Sequence, residues 1–336
     1  MLRAGLIAGL LMLLAACGED DARKASASGD IPTSLSPRFY PPEGWAWGTF
    51  GEKKPQRYGV ASPRGTPSGI IVILPGYGEP AEVWFETASN LIAQGHTVWI
   101  LDRPGQGGSA RYATPADLGF VPSFETDSRA VRDFLSSIVK PRPDDVVVLL
   151  AHADATLAAL LAIGSGMKAD GVIASSAELA TARGSPLLKV LQRPDGPPFG
   201  WRPWNEDRPD DRTIGLTHDR ERGQLRQIWM LAKPELRLSS PSLGWLEAFA
   251  AASRAASADP ARLAVPILMV NPNRPASDLC ERVAACRQGA LPGARAAIHL
   301  ETDRWRKPWL EQVDEFVDQR VSTRQRATFS AAPPRP

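Results

Sequence analysis

The chain has no large net charge of either sign. Its 39 basic and 37 acidic side chains leave a formal net charge of +2 over 336 residues, and this near-neutral balance gives no sign of a nucleic-acid-binding surface. Long apolar runs are also missing, because residues 4–14 are too few to span a bilayer and no other run approaches about 20 residues. The length and the 43% hydrophobic content suit one large α/β domain or two small ones.

Cysteine is scarce, and the first of three cysteines ends an export-type signal. A basic start and the apolar residues 4–14 lead into Leu14-Ala15-Ala16-Cys17, which resembles a bacterial lipobox. We therefore expect a signal peptide at 1–16, a lipid-modified Cys17 that anchors the protein to a membrane facing the periplasm, and a flexible tether at 17–38. Gly18 follows the cysteine instead of aspartate, which favours the outer over the inner membrane. A plain secretory signal is the alternative.

The other two cysteines, Cys280 and Cys286, are six residues apart near the end of a predicted helix. An exported protein can form disulfides. Six residues of regular helix, however, separate two Cα atoms by about 9 Å, which is too far for a bridge. Two free thiols are therefore slightly favoured, unless the helix ends between the cysteines.

Apolar strand-like runs alternate with helical segments along the chain. Strands are predicted at 69–74, 97–101, 146–150, 171–174, 265–270 and 296–299, and helices at 81–93, 124–139, 157–163, 279–285 and 308–319. This alternation predicts a mostly parallel sheet with helices on both faces. Residues 45–60 add one or two antiparallel strands. The core is assigned to residues 39–179 and 258–320, followed by a disordered tail at 321–336.

Residues 180–257 interrupt the alternation between two strands of the sheet. They contain proline-rich loops, helical pieces and four tryptophans, Trp201, Trp204, Trp229 and Trp245. Ligands of open α/β sheets bind beyond the carboxyl ends of the strands, so this insertion is predicted to be a helical cap over a ligand pocket. For each tryptophan alone, packing against the sheet is the competing interpretation.

The strand at 146–150 leads into the sequence Ala151-His152-Ala153-Asp154-Ala155, and an apolar helical stretch follows. A strand, a sharp turn and a helix in this order present a nucleophilic serine when the turn reads G-x-S-x-G. Here the turn reads A-x-A-x-A. A methyl group cannot attack a carbonyl, so Ala153 indicates that no serine chemistry starts from this turn.

Other motifs carry a resemblance to a known family. Residues 74–79 (LPGYGE) resemble an oxyanion loop of the form H-G-x-G-E, residues 102–109 (DRPGQGGS) resemble D-x-R-G-x-G-x-S, and pieces at 217–219, 234–235 and 241–245 resemble a cap. In this order, over residues 39–318, they resemble the bacterial lysophospholipase and monoacylglycerol-lipase branch of the α/β-hydrolases, which is serine aminopeptidase-like. The resemblance implies the α/β-hydrolase fold, a mostly parallel sheet flanked by helices with a helical cap.

The resemblance also implies where a catalytic triad would lie. The serine position falls on Ala153, the acid position on Asn273 and the histidine position on Ala296, while Tyr77 and Asp154 take the oxyanion positions. Three losses at three separate motifs with intact flanks indicate a catalytically inactive chain, because the triad residues work only together. A carboxylate at Asp154, if it points inward, would also disfavour a developing oxyanion.

Few residues remain to rescue the chemistry. His152 is expected to pack beneath the turn, His299 to face elsewhere, His96 to lie at a surface strand entry and His218 in the cap. Ser175 and Ser176 end a strand in the same region, and no histidine is placed by sequence to activate either. His152 and Asp154 are too small a set for a metal site, so no metal and no cofactor are expected.

We therefore interpret the chain as a pseudoenzyme lipoprotein. It is expected to bind a lipid-like ligand, such as a lysophospholipid or fatty acid, or a protein partner, and not to bind nucleic acid. The predicted pocket is lined by Tyr77, His152, Asp154, Trp201, Trp204, Trp229 and Trp245. Two alternatives stay open: an active carboxylic-ester hydrolase or lysophospholipase that uses relocated residues, and a structural envelope lipoprotein whose pocket is filled by its own side chains.

Overall fold

The computed structural model describes residues 31–179, 193–206, 215–272 and 278–331. Eight strands form one sheet in the order β1-β2-β4-β3-β5-β6-β7-β8. Their bounds are Ala46–Phe50 (β1), Gln56–Ala61 (β2), Gly69–Leu74 (β3), His96–Leu101 (β4), Val147–His152 (β5), Gly171–Ser175 (β6), Ile267–Asn271 (β7) and Cys286–Ala290 (β8). Strand β2 pairs antiparallel with β1 and β4, and all other pairs are parallel. The predicted fold class is confirmed.

Helices cover both faces of the sheet. They are Phe85–Ala93 (α1), Phe124–Phe134 (α2), Ala155–Gly164 (α3), Arg220–Gly223 (α4), Leu225–Ala232 (α5), Leu243–Ala258 (α6), Leu279–Arg282 (α7) and Asp303–Ala331 (α8). Within the described ranges, none of them is both long and apolar enough to cross a membrane. Helices α4 to α6 belong to the insertion between β6 and β7.

Two apolar clusters lie on the two faces of the sheet. Side chains along β3 alternate between them, so that Ile71 and Ile73 pack with α1 and α8, while Val72 and Leu74 pack with α2, α3 and α6. Because both faces are buried, the central parallel strands consist of continuous apolar runs rather than alternating ones. This register brings the carboxyl ends of β3, β5, β6 and β7 to one edge of the sheet.

The last strand was predicted at 296–299, and this prediction is wrong. The eighth strand is β8, and residues Ile298–Leu300 form one turn of 3-10 helix. Strand β8 has largely exposed residues at the edge of the sheet, so it lacks the apolar pattern by which a buried strand is found. Its place is set by pairing with β7.

Both predicted flexible ends are shorter than expected. Leu35 and Phe39 are buried in the core, so the predicted tether at 17–38 is packed at its end. Helix α8 continues to Ala331 through most of the predicted disordered tail. Arg324 on that helix donates hydrogen bonds to the Pro143 carbonyl and to Asp170, which ties the helix to the loops beside β5 and β6.

Cys280 and Cys286 form a disulfide, so the slight preference for free thiols is wrong. Helix α7 ends at Arg282, between the two cysteines, and their Cα atoms are 4.8 Å apart. Leaving the helix after one turn removes the rise that would have kept the cysteines apart.

Candidate functional site

The turn at Ala153 has the sharp shape that the sequence predicts. It lies between β5 and α3, with φ at 49°, in the left-handed region that favours glycine. The Ala153 N–H donates to the Ser175 carbonyl at 2.9 Å, and the Ala153 carbonyl accepts from the Thr156 N–H at 3.3 Å. These bonds hold the strained backbone, and the side chain presented at its tip is a partly exposed methyl group.

A carboxylate occupies the position beside the turn where an oxyanion would be bound. The Tyr77 N–H donates to Asp154 Oδ1 at 2.7 Å, and Asp154 is buried at the start of α3. In G-x-S-x-G turns the residue after the nucleophile and an N–H from the loop after β3 supply the oxyanion donors. Here the loop donor is the Tyr77 N–H, and it is already bonded to the side chain of Asp154. Asp154 is also the residue whose backbone N–H would be the second donor.

Arg103 holds this carboxylate in place. Its Nη2 donates to Asp154 Oδ2 at 2.5 Å, its Nη1 to Asp127 Oδ1 at 3.1 Å, and its Nε to the Pro75 carbonyl at 3.0 Å. Burial opposes charge on the guanidinium, but the two carboxylates outweigh burial and raise the pKa of Arg103. Arg103 therefore links the loop after β3, helix α2 and the turn at Ala153 through buried charge-assisted hydrogen bonds.

Asp127 shares this one guanidinium with Asp154. Burial raises the pKa of Asp127 to about 7, with Arg103 opposing the rise and the Asp154 charge adding to it. The folded state therefore holds a proton on Asp127 that the unfolded chain has already released above pH 4. By linkage, this group makes the fold less stable as the pH rises from about 4 to 7.

We expect Asp127→Asn to remove this pH dependence. The free energy of unfolding of the wild type, taken relative to the variant, should fall between pH 5 and pH 7 by up to about 1.4 kcal/mol per pH unit. Urea denaturation followed by circular dichroism at several pH values measures the difference. A difference that stays constant, or rises with pH, would show that Asp127 is ionised throughout.

Two histidines and a glutamate meet beneath the turn. His152 Nε2 and His299 Nε2 each lie 3.5 Å from Glu79 Oε1, and the Trp84 ring stacks on His299 with centroids 3.9 Å apart. The predicted burial of His152 beneath the turn agrees with this arrangement. Burial, together with His152 and Arg306, lowers the pKa of His299 well below its usual value, so its imidazole is neutral.

The expectation that His299 faces elsewhere is wrong. It rested on a strand at 296–299, and the 3-10 turn at Ile298–Leu300 directs the ring inward instead. His96 was expected at the surface but is fully buried, with Nδ1 at 3.0 Å from Ser68 Oγ and Nε2 at 3.2 Å from Asp314 Oδ1 on α8. His218 is in the cap as predicted and bonds to Glu301 at 2.8 Å.

Among the described residues, the other triad-equivalent positions hold no side chain that could act as a base or an acid. Ala296 is partly exposed in the loop before the 3-10 turn, and Asn273 lies outside the described residues. Ser175 and Ser176 are buried at the end of β6, and neither hydroxyl has a hydrogen-bond partner among the described residues. An activated serine needs a base within hydrogen-bond reach, so the described part of the chain has no relocated nucleophile at these two positions.

The four cap tryptophans have different surroundings. Trp229 and Trp245 are buried, Trp229 against Phe85 and Trp245 against Tyr77 with centroids 4.8 Å apart. Trp201 and Trp204 are partly exposed, and Trp201 donates to Ser239 Oγ at 2.9 Å. The Tyr77 hydroxyl also donates to the Ser239 carbonyl at 3.0 Å. The cap and the loop after β3 are therefore joined directly, through rings that were predicted to line a pocket.

Sequence reasoning missed three residues of this site: Glu79, Arg103 and His299. Glu79 and Arg103 were visible as charged residues inside two motifs next to buried strands, a placement that usually requires a partner. His299 gave no such signal, because its direction depends on the turn that replaces the predicted strand.

Comparisons with known proteins agree with the observed fold. The family model of the serine aminopeptidases, S33, matches residues 65–282. A soluble variant of monoglyceride lipase from Saccharomyces cerevisiae is similar with a TM-score of 0.65 at 15% identity, covering 85% of this chain and 99% of that one. A carboxyl esterase from Bacillus coagulans has a TM-score of 0.65 at 15% identity, covering 82% and 99%.

A monoacylglycerol lipase from Paleococcus ferrophilus has a TM-score of 0.56 at 17% identity, covering 82% of this chain and 99% of that one. No curated protein sequence matches the chain significantly. The structural likenesses, at such low identity, bear on the fold, while the family model spans more than half of the sequence. The chain belongs to the serine aminopeptidase family, S33, and has the α/β-hydrolase fold.

Proposed function

We propose that this protein is a catalytically silent member of its family that uses the hydrolase fold for binding at a membrane surface. One observation carries the proposal: Asp154 Oδ1 accepts the Tyr77 N–H at 2.7 Å. Acyl transfer places negative charge on the substrate oxygen at this point. A buried carboxylate there takes the donor and repels the charge, and the alanine at position 153 leaves nothing to attack the substrate.

Fluorophosphonate labelling tests catalytic silence. We expect the purified protein to remain unlabelled and to hydrolyse neither short-chain esters nor lysophospholipids above the buffer rate, because Ala153 replaces the nucleophile and neither Ser175 nor Ser176 has a hydrogen-bond partner among the described residues. Mass spectrometry of the intact chain measures labelling, with an active lipase of the same fold as the positive control. Stoichiometric modification of any serine would contradict the proposal and support the alternative of an active hydrolase with relocated residues.

The proposal includes a lipid anchor at Cys17, on the outer membrane and facing the periplasm. It is supported by the sequence Leu14-Ala15-Ala16-Cys17 after a short apolar run. We expect Cys17→Ser to abolish lipid modification and to move the protein from the membrane fraction to the soluble fraction, since acyl chains bind by burying methylene groups. Detergent-free fractionation measures this, with the double variant Cys280→Ser, Cys286→Ser, which leaves no unpaired thiol, as the control. Unchanged membrane retention of Cys17→Ser would rule out the lipid anchor.

The ligand that we propose is lipid-like and is bound by the cap. Among the described residues, five large apolar side chains are exposed, and four of them lie in the insertion: Phe199, Leu216, Leu231 and Leu246. Phe199 is 97% exposed. We take the concentration of exposed apolar side chains in this one insertion as support for an apolar partner. Native mass spectrometry before and after lipid extraction tests this part of the proposal, and a chain that never carries lipid would contradict it.

A second candidate function is that of a structural envelope lipoprotein. It is favoured by Trp229 and Trp245, which are buried against Phe85 and Tyr77 instead of lining open space. If the extraction experiment finds no lipid and labelling finds no serine, this candidate is the one that remains.

A further inference from the structure

The side chains of Glu79, His152 and His299, which we call the His-His-Glu cluster, are spaced unlike a hydrogen-bonded group. Both imidazole Nε2 atoms lie 3.5 Å from the same oxygen, Glu79 Oε1. Hydrogen bonds between such groups bring the heavy atoms to about 2.7–3.2 Å. Ligand atoms around a tetrahedral zinc ion, each about 2.0–2.1 Å from the metal, are instead about 3.4 Å apart.

Three of the four ring nitrogens of the cluster lack a hydrogen-bond partner among the described residues. His299 is 1% exposed, and neither of its ring nitrogens has a hydrogen bond among the described residues; the same holds for Nδ1 of His152. Buried polar atoms in folded proteins nearly always have a hydrogen-bond partner. A buried polar atom without one in the protein is often the ligand of a bound ion or water. A neutral imidazole has one N–H and one nitrogen with a free lone pair, so an unpartnered ring can offer that lone pair to a metal ion.

Glu79 is oriented for the same role. Its Oε2 accepts the Gly76 N–H at 2.9 Å and the Trp84 indole N–H at 3.2 Å, so its Oε1 is directed at both imidazoles. Ligating carboxylates are typically held by hydrogen bonds of this kind. Glu79 is also the one partly exposed member of the cluster, which gives an ion a route from solvent.

We propose that the His-His-Glu cluster binds one divalent transition-metal ion beneath the turn at Ala153, with Zn²⁺ as the best match. The three ligand atoms lie within 4.8 Å of one another, and two imidazoles with one carboxylate are a ligand set that zinc accepts while leaving a fourth position for water. The expectation of no metal site considered His152 with Asp154, whose carboxylate is instead taken by Tyr77 and Arg103.

The affinity should be moderate. Zinc-bound histidines usually donate their second ring N–H to an acceptor, and loss of such a contact costs about 10–100-fold in affinity. Neither His152 Nδ1 nor His299 Nδ1 has one. The site is independent of the catalytic silence proposed above, because its residues are not those of the triad-equivalent positions.

A second group of similar composition supplies a control. His96, Asp314 and Asp318 also lie within 4.8 Å of one another. There the histidine is already hydrogen-bonded on both sides, to Ser68 and to Asp314, so we expect no binding at that group.

Cobalt titration tests the proposal. The full-length chain, purified in detergent without a histidine tag and stripped with chelator, is titrated with Co²⁺, and visible d–d absorption and metal content per chain are measured. We expect one Co²⁺ per chain, displaced by Zn²⁺. His299→Leu and Glu79→Gln should each abolish the absorption, while His96→Gln and His218→Gln should retain it.

Three results would overturn the proposal: no absorption in the wild type, absorption that survives both Glu79→Gln and His299→Leu, or absorption that is lost equally in His96→Gln. Circular dichroism of each variant checks the fold. If His299→Leu does not fold, Glu79→Gln decides the question, because it keeps the size and the hydrogen-bond reach of the side chain. The spectroscopic readout is separate from ester hydrolysis, so its failure and the failure of catalytic silence are distinguishable.

Discussion

The triple variant Ala153→Ser, Asn273→Asp, Ala296→His is expected to hydrolyse short-chain esters faster than any of its single reversions. Serine without a base and histidine without a nucleophile each contribute almost nothing, so the effects should be strongly non-additive. Adding Asp154→Met should then raise turnover by a further 10²–10³-fold, roughly the value of one oxyanion donor. The substitution frees the Tyr77 N–H, now bonded to Asp154 Oδ1, and Arg103 keeps Asp127 as its partner.

Initial rates on a p-nitrophenyl ester measure both steps, with circular dichroism as the check of folding. Asp154→Met alone is the control and should remain inactive, because it frees the donor without supplying a nucleophile. Ala155→Gly, added last, should help further by removing a Cβ beside the strained turn. A folded triple variant no faster than the best single reversion would show that the three positions do not converge. A wild type as fast as the triple variant would show an independent catalytic apparatus.

Loss of the Arg103 guanidinium is expected to lower the free energy of unfolding by about 3–5 kcal/mol. Arg103→Met keeps an unbranched apolar stem but removes the guanidinium and leaves Asp127 and Asp154 buried without their cation, and breaking a buried pair from one side has this cost. Urea denaturation at pH 8, above the pKa of about 7 for Asp127, measures the loss.

Two comparisons make this result specific. The pair of Arg142 and Asp145 is solvent-exposed on the arginine side, so Arg142→Met should have a much smaller effect. Adding Asp127→Asn to Arg103→Met should recover part of the lost stability, because one uncompensated charge is then gone. Equal losses in Arg103→Met and Arg142→Met would mean that the buried charges are solvated in the folded state.

The sheet was readable from the sequence because parallel strands buried on both faces are continuous apolar runs, as β3 and β5 are. The turn at Ala153 was readable for the same reason, since a strand and an apolar helix enclose it. Strand β8 could not be predicted from the sequence, because its exposed side chains form no apolar run. Only its pairing with β7 defines it as a strand.

The contact between Tyr77 and Asp154 could not be predicted from the sequence, although the resemblance predicts both residues for the same site. The sequence places Tyr77 and Asp154 at the oxyanion positions, and the inward direction of the Asp154 carboxylate depends on Arg103, which comes from a loop 51 residues earlier in the chain. His299 depends in the same way on one turn of 3-10 helix. Such contacts are set by three-dimensional packing among distant segments, about which hydrophobic periodicity carries no information.

Ala153 keeps a left-handed backbone at φ 49° although an alanine gains no function from it, and such a conformation costs about 1–3 kcal/mol. The turn is imposed by the junction of β5 with α3 and by the bond to Ser175, not by the side chain that it displays. Under the catalytic silence that we propose, evolution removed the nucleophile but kept the backbone turn that would present it. At this turn, a descendant of this chain would need a side-chain substitution alone, with no rebuilding of the backbone, to present a serine again.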